Sequence, residues 1–158
     1  MLKSQQFCTF LLDSIFFGVE VERVQEVIRY QHTTRVPLAP PVVHGLINLR
    51  GQIVPVIALR RCLELNELSQ KSFSKQLSFN VVVKNDDEVI SLLVDDVGEV
   101  LEVSEDCFES PPKTLKGRAR ELIRGAYKLE NQLLLILDID KITDILDLKP
   151  QMNADERR

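Results

Sequence analysis

Short apolar runs separated by polar turn residues dominate the chain, a pattern typical of β-strands. Asp13-Ser14 separates the first two runs, and Asn85-Asp86-Asp87 separates a second pair, so each pair predicts a hairpin. The predicted strands cover residues 7–12, 15–21, 45–49, 53–59, 79–83, 88–94, 122–129 and 132–139.

Helical spacing of apolar residues is convincing only near the C-terminus. Ile142, Ile145 and Leu146 follow Asp140, a candidate N-cap, and Pro150 comes after the last apolar position. The sequence therefore predicts a mainly β protein with short helices, one of them near the C-terminus.

The second half of the chain repeats the pattern of the first half. When the two halves are aligned, the turn at Asp13 falls on Asp86 and the segment VQEVI (24–28) falls on VGEVL (97–101). Such internal similarity indicates two β lobes of about five strands each, in the form of small barrels.

The later part of each repeat aligns with a larger offset along the chain. Residues 45–59 correspond to residues 125–139, and the change of offset places an insertion in the connection ESPPKTLKGRAREL of the second half. At the hairpin tips Gly51 corresponds to Asn131, and both residue types tolerate positive φ in tight turns.

The repeat defines the expected domain organisation. We expect one unit over residues 7–147, with a first lobe over about 7–65 and a second over about 79–147, between which strands can be exchanged. Residues 148–158 form a polar tail, and its composition predicts disorder.

Composition is that of an ordinary soluble globular protein. The 158 residues are 44% hydrophobic and 28% charged, with a net charge of −4, which argues against nucleic-acid binding. The basic segment 113–124 is interpreted as a solvated loop or helix face. Three widely spaced cysteines, no signal-peptide core and no membrane-spanning run predict a cytoplasmic protein without membrane insertion.

No residue pattern predicts catalysis, a metal site or a cofactor. His32 and His44 form no ligand pair, Asp95-Asp96 is interpreted as lobe-surface charge, and glycine-rich phosphate loops are absent from the sequence. Surface recognition remains as the expected activity.

Two charges are the candidates for recognition. Val24, Val27 and Ile28 surround Glu26 with apolar groups, and Arg50 lies at a hairpin tip. The residues alone leave two interpretations open. The two charges are either ordinary exposed groups, which contribute about 0–1 kcal/mol as a pair, or neighbours that frame an apolar patch.

The chain resembles the CheW-type coupling proteins of bacterial chemotaxis. The resemblance rests on VERVQEVI, on TRVPLAPPVVHGLINLRGQIVPVIALR, on ISLLVDDVGEVLEV and on LIRGAYKLENQLLLILDIDKI, which together extend over nearly the whole chain. It implies two SH3-like five-stranded β-barrel lobes around a shared hydrophobic interface. It also implies a non-catalytic adaptor that joins methyl-accepting chemoreceptors to the regulatory domain of a CheA-type histidine kinase and that can close into rings with other CheW-like proteins.

The resemblance also assigns a receptor-binding surface. Glu26 matches the glutamate of the family's Val-x-Glu-Ile motif, and Arg50 matches the arginine of its Asn-Leu-Arg-Gly motif. The implied receptor-binding residues are Val24, Glu26, Val27, Asn48, Leu49, Arg50, Gly51, Val97 and Val100. Ala58 departs from the family, which often has Asp at this position.

Two alternatives are kept. One is a CheW-like adaptor of a non-flagellar chemosensory pathway that controls twitching or surface attachment. The other is a nucleic-acid-binding β-barrel module, which would need aromatic faces beside a basic stripe, whereas aromatics are 6% of residues and tryptophan is absent.

Overall fold

The mainly β fold class is confirmed by the computed structural model, which describes residues 3–65, 78–86 and 88–146. The strands within these ranges are β1 (Ser4–Leu12), β2 (Ile15–Glu20), β3 (Val24–Arg29), β4 (Val43–Leu49), β5 (Gln52–Ala58), β6 (Phe79–Asn85), β7 (Glu88–Val94), β8 (Asp96–Ser104), β9 (Phe108–Glu109), β10 (Ile123–Lys128) and β11 (Leu133–Leu137). The helices are α1 (Leu59–Cys62), α2 (Gly117–Leu122) and α3 (Ile139–Leu146). Asp87 of the predicted second turn and the predicted tail 148–158 lie outside the described residues.

The strands form two sheets, and each sheet contains strands from both halves of the chain. The six-stranded sheet has the order β8-β1-β2-β11-β10-β9, and the five-stranded sheet has the order β3-β6-β7-β5-β4. The hairpin β1–β2 thus lies among strands of the second half, while β6–β7 lies among strands of the first half. The division into 7–65 and 79–147 is therefore not a division between sheets.

This exchange of hairpins is reciprocal and has the same register in both sheets. In the six-stranded sheet Phe10 of β1 lies opposite Val97 of β8, and in the five-stranded sheet Val83 of β6 lies opposite Val24 of β3. The alignment of the two halves carries one pair onto the other, and a β-bulge follows at the same place in both. The repeat in the sequence is thus a pseudo-twofold relation in the structure.

In each sheet the chain leaves one edge strand and continues along the opposite edge, so the sheet is curled. After β3 the chain crosses to the opposite edge of the five-stranded sheet, where Thr34 bridges to Leu46 of β4. After β8 it crosses in the same way, and Glu109 of β9 pairs with Ala126 of β10. The two-residue strand β9 therefore corresponds to the single bridge at Thr34 in the other sheet. This extra strand accounts for the difference between the six strands observed in one sheet and the five strands predicted for each lobe.

The central core is shared between the two sheets. Phe10 and Phe17 from the six-stranded sheet pack in one buried cluster with Leu92 from the five-stranded sheet and with Leu122 and Leu137. Smaller apolar clusters fill the interior of each lobe. Because hydrophobic burial supplies the dominant favourable term in folding, neither lobe holds its main core alone.

The helices after β5 and β11 occupy equivalent positions but differ in their N-caps. The carboxylate of Asp138 accepts a hydrogen bond of 3.1 Å from the backbone N–H of Lys141, so Asp138 caps α3 and the prediction of Asp140 as N-cap was wrong. Asp140 instead points its carboxylate at Arg23. The equivalent of Asp138 is Ala58, which has no side-chain oxygen, and α1 is half as long as α3.

We predict that Ala58→Asp lengthens or stabilises α1. An N-cap aspartate satisfies a backbone N–H that alanine leaves without a partner, so the free energy of unfolding should rise by about 1 kcal/mol. Denaturant unfolding followed by circular dichroism measures the change. The matched control is Asp138→Ala, which should lower the free energy of unfolding by a similar amount; equal behaviour of the two variants would contradict the capping assignment.

Candidate functional site

The hairpin tip between β4 and β5 is a two-residue turn at Arg50 and Gly51. Both residues have positive φ, +52° for Arg50 and +89° for Gly51, as tight hairpin turns require. The side-chain oxygen of Asn48 accepts a hydrogen bond of 2.8 Å from the N–H of Gly51, and Leu49 is buried beneath the turn. A Cβ at Gly51 would meet no neighbouring atom, so glycine is needed there for its backbone conformation alone.

Arg50 and Glu26 form a forked ion pair at this tip. The guanidinium donates from Nη1 to Oε1 of Glu26 at 3.3 Å and from Nη2 to Oε2. The Arg50 side chain is 71% exposed and the Glu26 side chain 22%. Because β3 and β4 are opposite edges of the five-stranded sheet, the ion pair bridges the two edges. Of the two interpretations that the sequence left open, the geometry is that of neighbouring charges.

The ion pair shifts the ionisation of both partners in its own favour. Hydrogen bonding from Arg50 lowers the pKa of the Glu26 carboxyl, and the carboxylate in turn raises the pKa of Arg50. A lowered pKa in the folded state means that the pair contributes above the ordinary carboxyl pKa and is lost only as the pH falls through the lowered value. Both partners therefore remain charged throughout the neutral range.

The second lobe does not reproduce the pair. The repeat carries Glu26 onto Glu99 and Arg50 onto Glu130, so two carboxylates stand where the first lobe has opposite charges. Like charges repel, and no fork can form between them. The charged tip therefore distinguishes one lobe from the other on an otherwise repeated scaffold.

The five valine and leucine residues of the predicted site are distributed over both sheets. Val24 packs against the shared core, and Leu49 belongs to the interior of the first lobe, so both are mainly structural. Val27 is 41% exposed on β3, next to Glu26. Val97 and Val100 lie on β8, an edge strand of the six-stranded sheet; Val97 packs against the core and Val100 is 53% exposed.

A second ion-pair system, not predicted from the sequence, joins the two sheets near α1. Arg60 donates to both carboxylate oxygens of Asp95 at 2.9 and 3.0 Å and to the carboxylate of Asp13. The carboxylate of Asp95 also accepts a hydrogen bond of 2.9 Å from the N–H of Asp13, so this lobe-surface charge takes part in a network that the sequence did not indicate. The charge reversal between Arg60 and its repeat equivalent Asp140 is the signal that could have revealed this contact.

Asp140, the repeat equivalent of Arg60, also forms an ion pair, with the charges reversed. Asp140 of α3 accepts from Arg23 at 3.0 and 3.1 Å, and Arg23 lies in the 3-10 turn between β2 and β3. Each contact links a short helix, α1 or α3, to a segment where the chain passes from one sheet to the other. Both contacts lie at the boundary between the two sheets.

The described residues offer no cluster of three or more His, Cys, Asp or Glu side chains that could bind a metal ion. No helix in the described ranges is long and apolar enough to cross a membrane.

The family of the chain follows from comparison with known proteins. Residues 6–146 match the CheW-like domain family. The chain belongs to this family. CheW-family proteins are non-catalytic scaffold proteins of chemotaxis, so the prediction that the chain is not an enzyme is confirmed by its family membership.

Similar CheW proteins come from several bacteria. The chain is 30% identical to the chemotaxis protein CheW of Treponema pallidum, over 94% of this chain and 87% of that protein. It is also 30% identical to the chemotaxis protein CheW of Thermotoga maritima, over 94% and 93% of the two chains. Among solved structures, the scaffolding protein TtCheW from Thermoanaerobacter tengcongensis superposes with a TM-score of 0.75 at 28% identity, over 86% and 90% of the two chains.

We predict that the backbone at Arg50 is strained and that the turn tolerates loss of the guanidinium. Arg50→Asn should unfold within about 2 °C of the parent or higher, because asparagine followed by glycine suits a turn with two positive φ values and an exposed ion pair contributes little. Arg50→Val removes the same guanidinium but places a β-branched residue at positive φ, so it should unfold at lower temperature.

Thermal unfolding of the two variants measures the difference. If Arg50→Asn destabilises the protein as much as Arg50→Val does, the ion pair with Glu26 holds the tip and the turn conformation is not the dominant factor.

Proposed function

We propose that the chain is a cytoplasmic adaptor that couples the cytoplasmic tips of methyl-accepting chemoreceptors to the regulatory domain of a CheA-type histidine kinase. The observation that carries this proposal is the forked Arg50–Glu26 pair, held at the tip of a strained turn and replaced by two glutamates in the other repeat. Membership of the CheW-like family supports the chemotaxis setting. The adaptor works by holding partners together, with no cofactor and no bond made or broken.

The receptor contact is assigned to the surface around Arg50. A guanidinium has five N–H donors, and Arg50 directs two of them at Glu26, so others remain for carbonyl or carboxylate oxygens of a receptor helix. Val27 supplies an exposed apolar contact beside the charges. Asn48, Leu49 and Gly51 position the tip, while Val24 shapes the strand beneath Glu26.

Val97 and Val100 extend the proposed receptor surface to the second lobe. A helix pair that lies across both lobes would contact Val100, whose side chain is half exposed, and the ridge of β8 around Val97. A few well-packed residues of this kind are expected to dominate affinity, in the way that amphipathic helices bind grooves.

The kinase contact is assigned to apolar positions that the two lobes share. The exposed residues Ile53 and Leu133 are equivalent in the repeat and are not among the proposed receptor-binding residues. Two lobes with equivalent apolar surfaces can bind another two-lobed CheW-like domain at either side. This supports packing of like lobes, and ring closure with the kinase or with other CheW-like proteins.

The net charge of −4 continues to disfavour nucleic acid as a partner. A non-flagellar chemosensory pathway would use the same surfaces, so the proposal concerns the receptor and kinase contacts and is the same for either pathway.

We predict that Arg50→Glu weakens receptor association by about tenfold, because the guanidinium is replaced by a group that repels Glu26 and any acidic partner. The measurement is co-sedimentation of the purified protein with receptor fragments assembled into arrays. Arg50→Asn serves as a control in which the fold of the turn is kept and only the cation is lost; it should also bind less.

A charge-swapped variant tests whether the two residues act as a pair. Glu26→Arg combined with Arg50→Glu should recover part of the binding if the contact seen in the structure orients the site. Parental binding by the single Arg50→Glu variant would refute the receptor role, and strictly additive losses in the double variant would refute the pairing.

A further inference from the structure

A cationic pocket lies at the end of β4 that is remote from Arg50. The segment between β3 and β4 folds back beside the start of β4 and encloses a cavity of about 570 Å³. His44 lies in this cavity, at the opposite end of the strand from Arg50, and a strand of this length separates its two ends by about 20 Å. The pocket is therefore separate from the Arg50–Glu26 tip.

Among the residues that the structure describes, the charged side chains that line the pocket are both basic. These are Arg35 and Arg61, which lie beside His32 and His44, and this described lining has no aspartate or glutamate. This is unusual in a chain with four more acidic than basic residues. Arg61 is held in place because its Nη1 donates to the carbonyl of Pro41 at 3.0 Å.

Prolines and backbone hydrogen bonds restrict the walls of the pocket. Pro37, Pro40 and Pro41 restrict the backbone, and Val43 donates its N–H to the carbonyl of Pro40 at 2.9 Å. The N–H of Ala39 is likewise bonded to the carbonyl of Val36 at 3.3 Å. A preformed site binds without the entropic cost of ordering a loop.

The apolar side chain of Leu38 lies at the rim of the pocket in an unfavourable conformation and environment. Leu38 is fully exposed and has a φ of +66°, a conformation that leucine rarely adopts. Exposure of the side chain and strain of the backbone are both unfavourable, and packing within the described chain compensates neither. Backbone strain of this kind collects at ligand contacts.

We propose that this pocket, named here the Arg35 pocket, binds an acidic segment of a protein partner, with a carboxylate among the basic side chains and an adjacent apolar side chain against Leu38. The apolar rim favours a peptide over a free anion. The backbone adds few donors for a free phosphate, because the prolines have no N–H and those of Ala39 and Val43 are already bonded. A membrane surface would need a broad basic face, which a net charge of −4 disfavours.

The test uses the full-length protein and a fluorescein-labelled hexapeptide of alternating leucine and glutamate, followed by fluorescence anisotropy. The parent should bind it, and the same peptide with glutamine in place of glutamate should bind about tenfold more weakly. Arg35→Glu should weaken binding of the glutamate peptide by about tenfold. Lys128→Glu changes the net charge equally at an exposed position of β10 and should bind within about twofold of the parent.

Two further variants separate the contributions. Leu38→Gly should weaken binding while raising the temperature of unfolding, because glycine accepts the positive φ and removes the exposed side chain. Arg50→Glu should leave peptide binding unchanged, so a failure of the receptor proposal and a failure of this one are distinguishable.

Several outcomes would overturn the proposal. Equal binding of the glutamine peptide, equal loss in Lys128→Glu, or no saturation up to about 1 mM peptide would each show that the pocket does not select a carboxylate. Competition by inorganic phosphate at the same concentration as peptide would identify a free-anion site. Arg35-dependent sedimentation with phosphatidylglycerol vesicles, or Arg35-dependent dimerisation of the protein alone, would identify a membrane or a second copy as the occupant.

Discussion

The reciprocal exchange of hairpins is the constraint on which the remaining structure depends. β1–β2 completes the sheet of the second half and β6–β7 completes the sheet of the first, so the apolar faces of both hairpins meet in one central cluster that includes Phe10, Phe17 and Leu92. Because the larger share of apolar burial lies between the sheets, the geometry of one lobe depends on the other. The ion pairs of Arg60 and Asp140 add polar contacts at the boundary between the sheets.

On this symmetric scaffold the distinguishing chemistry lies in a few places where the repeats differ. The tip at Arg50 has an ion pair where the equivalent positions Glu99 and Glu130 are both acidic. The connection before β4 forms the Arg35 pocket, whereas the connection before β10 contains α2, whose Ala119 and Leu122 are buried. A scaffold that must bind different partners at once benefits from this arrangement, since the shared framework keeps the distances between sites constant.

Much of the fold could be predicted from the sequence, because hairpins and repeats are local or periodic signals. The turn at Asp13-Ser14 and the alignment of the two halves identified equivalent strands correctly. The exchange itself could not be derived, since a hairpin has the same pattern whichever sheet it joins. β3 and β8 were not identified as strands from periodicity, although their similarity to each other was seen. The connection ESPPKTLKGRAREL, where the insertion in the second half was placed, contains α2.

The candidate site was predictable to a different extent at each residue. Glu26 and Arg50 could be singled out as unusual charges, but their contact joins opposite edges of a sheet and depends on how far that sheet curls. Arg60 was not singled out because its partners, Asp13 and Asp95, are distant in the chain.

The hairpin exchange also relates this fold to a dimer of single repeats. A polypeptide of one repeat could finish its sheet only by borrowing a hairpin from a second copy, so the fold preserves, within one chain, the geometry of a domain-swapped homodimer.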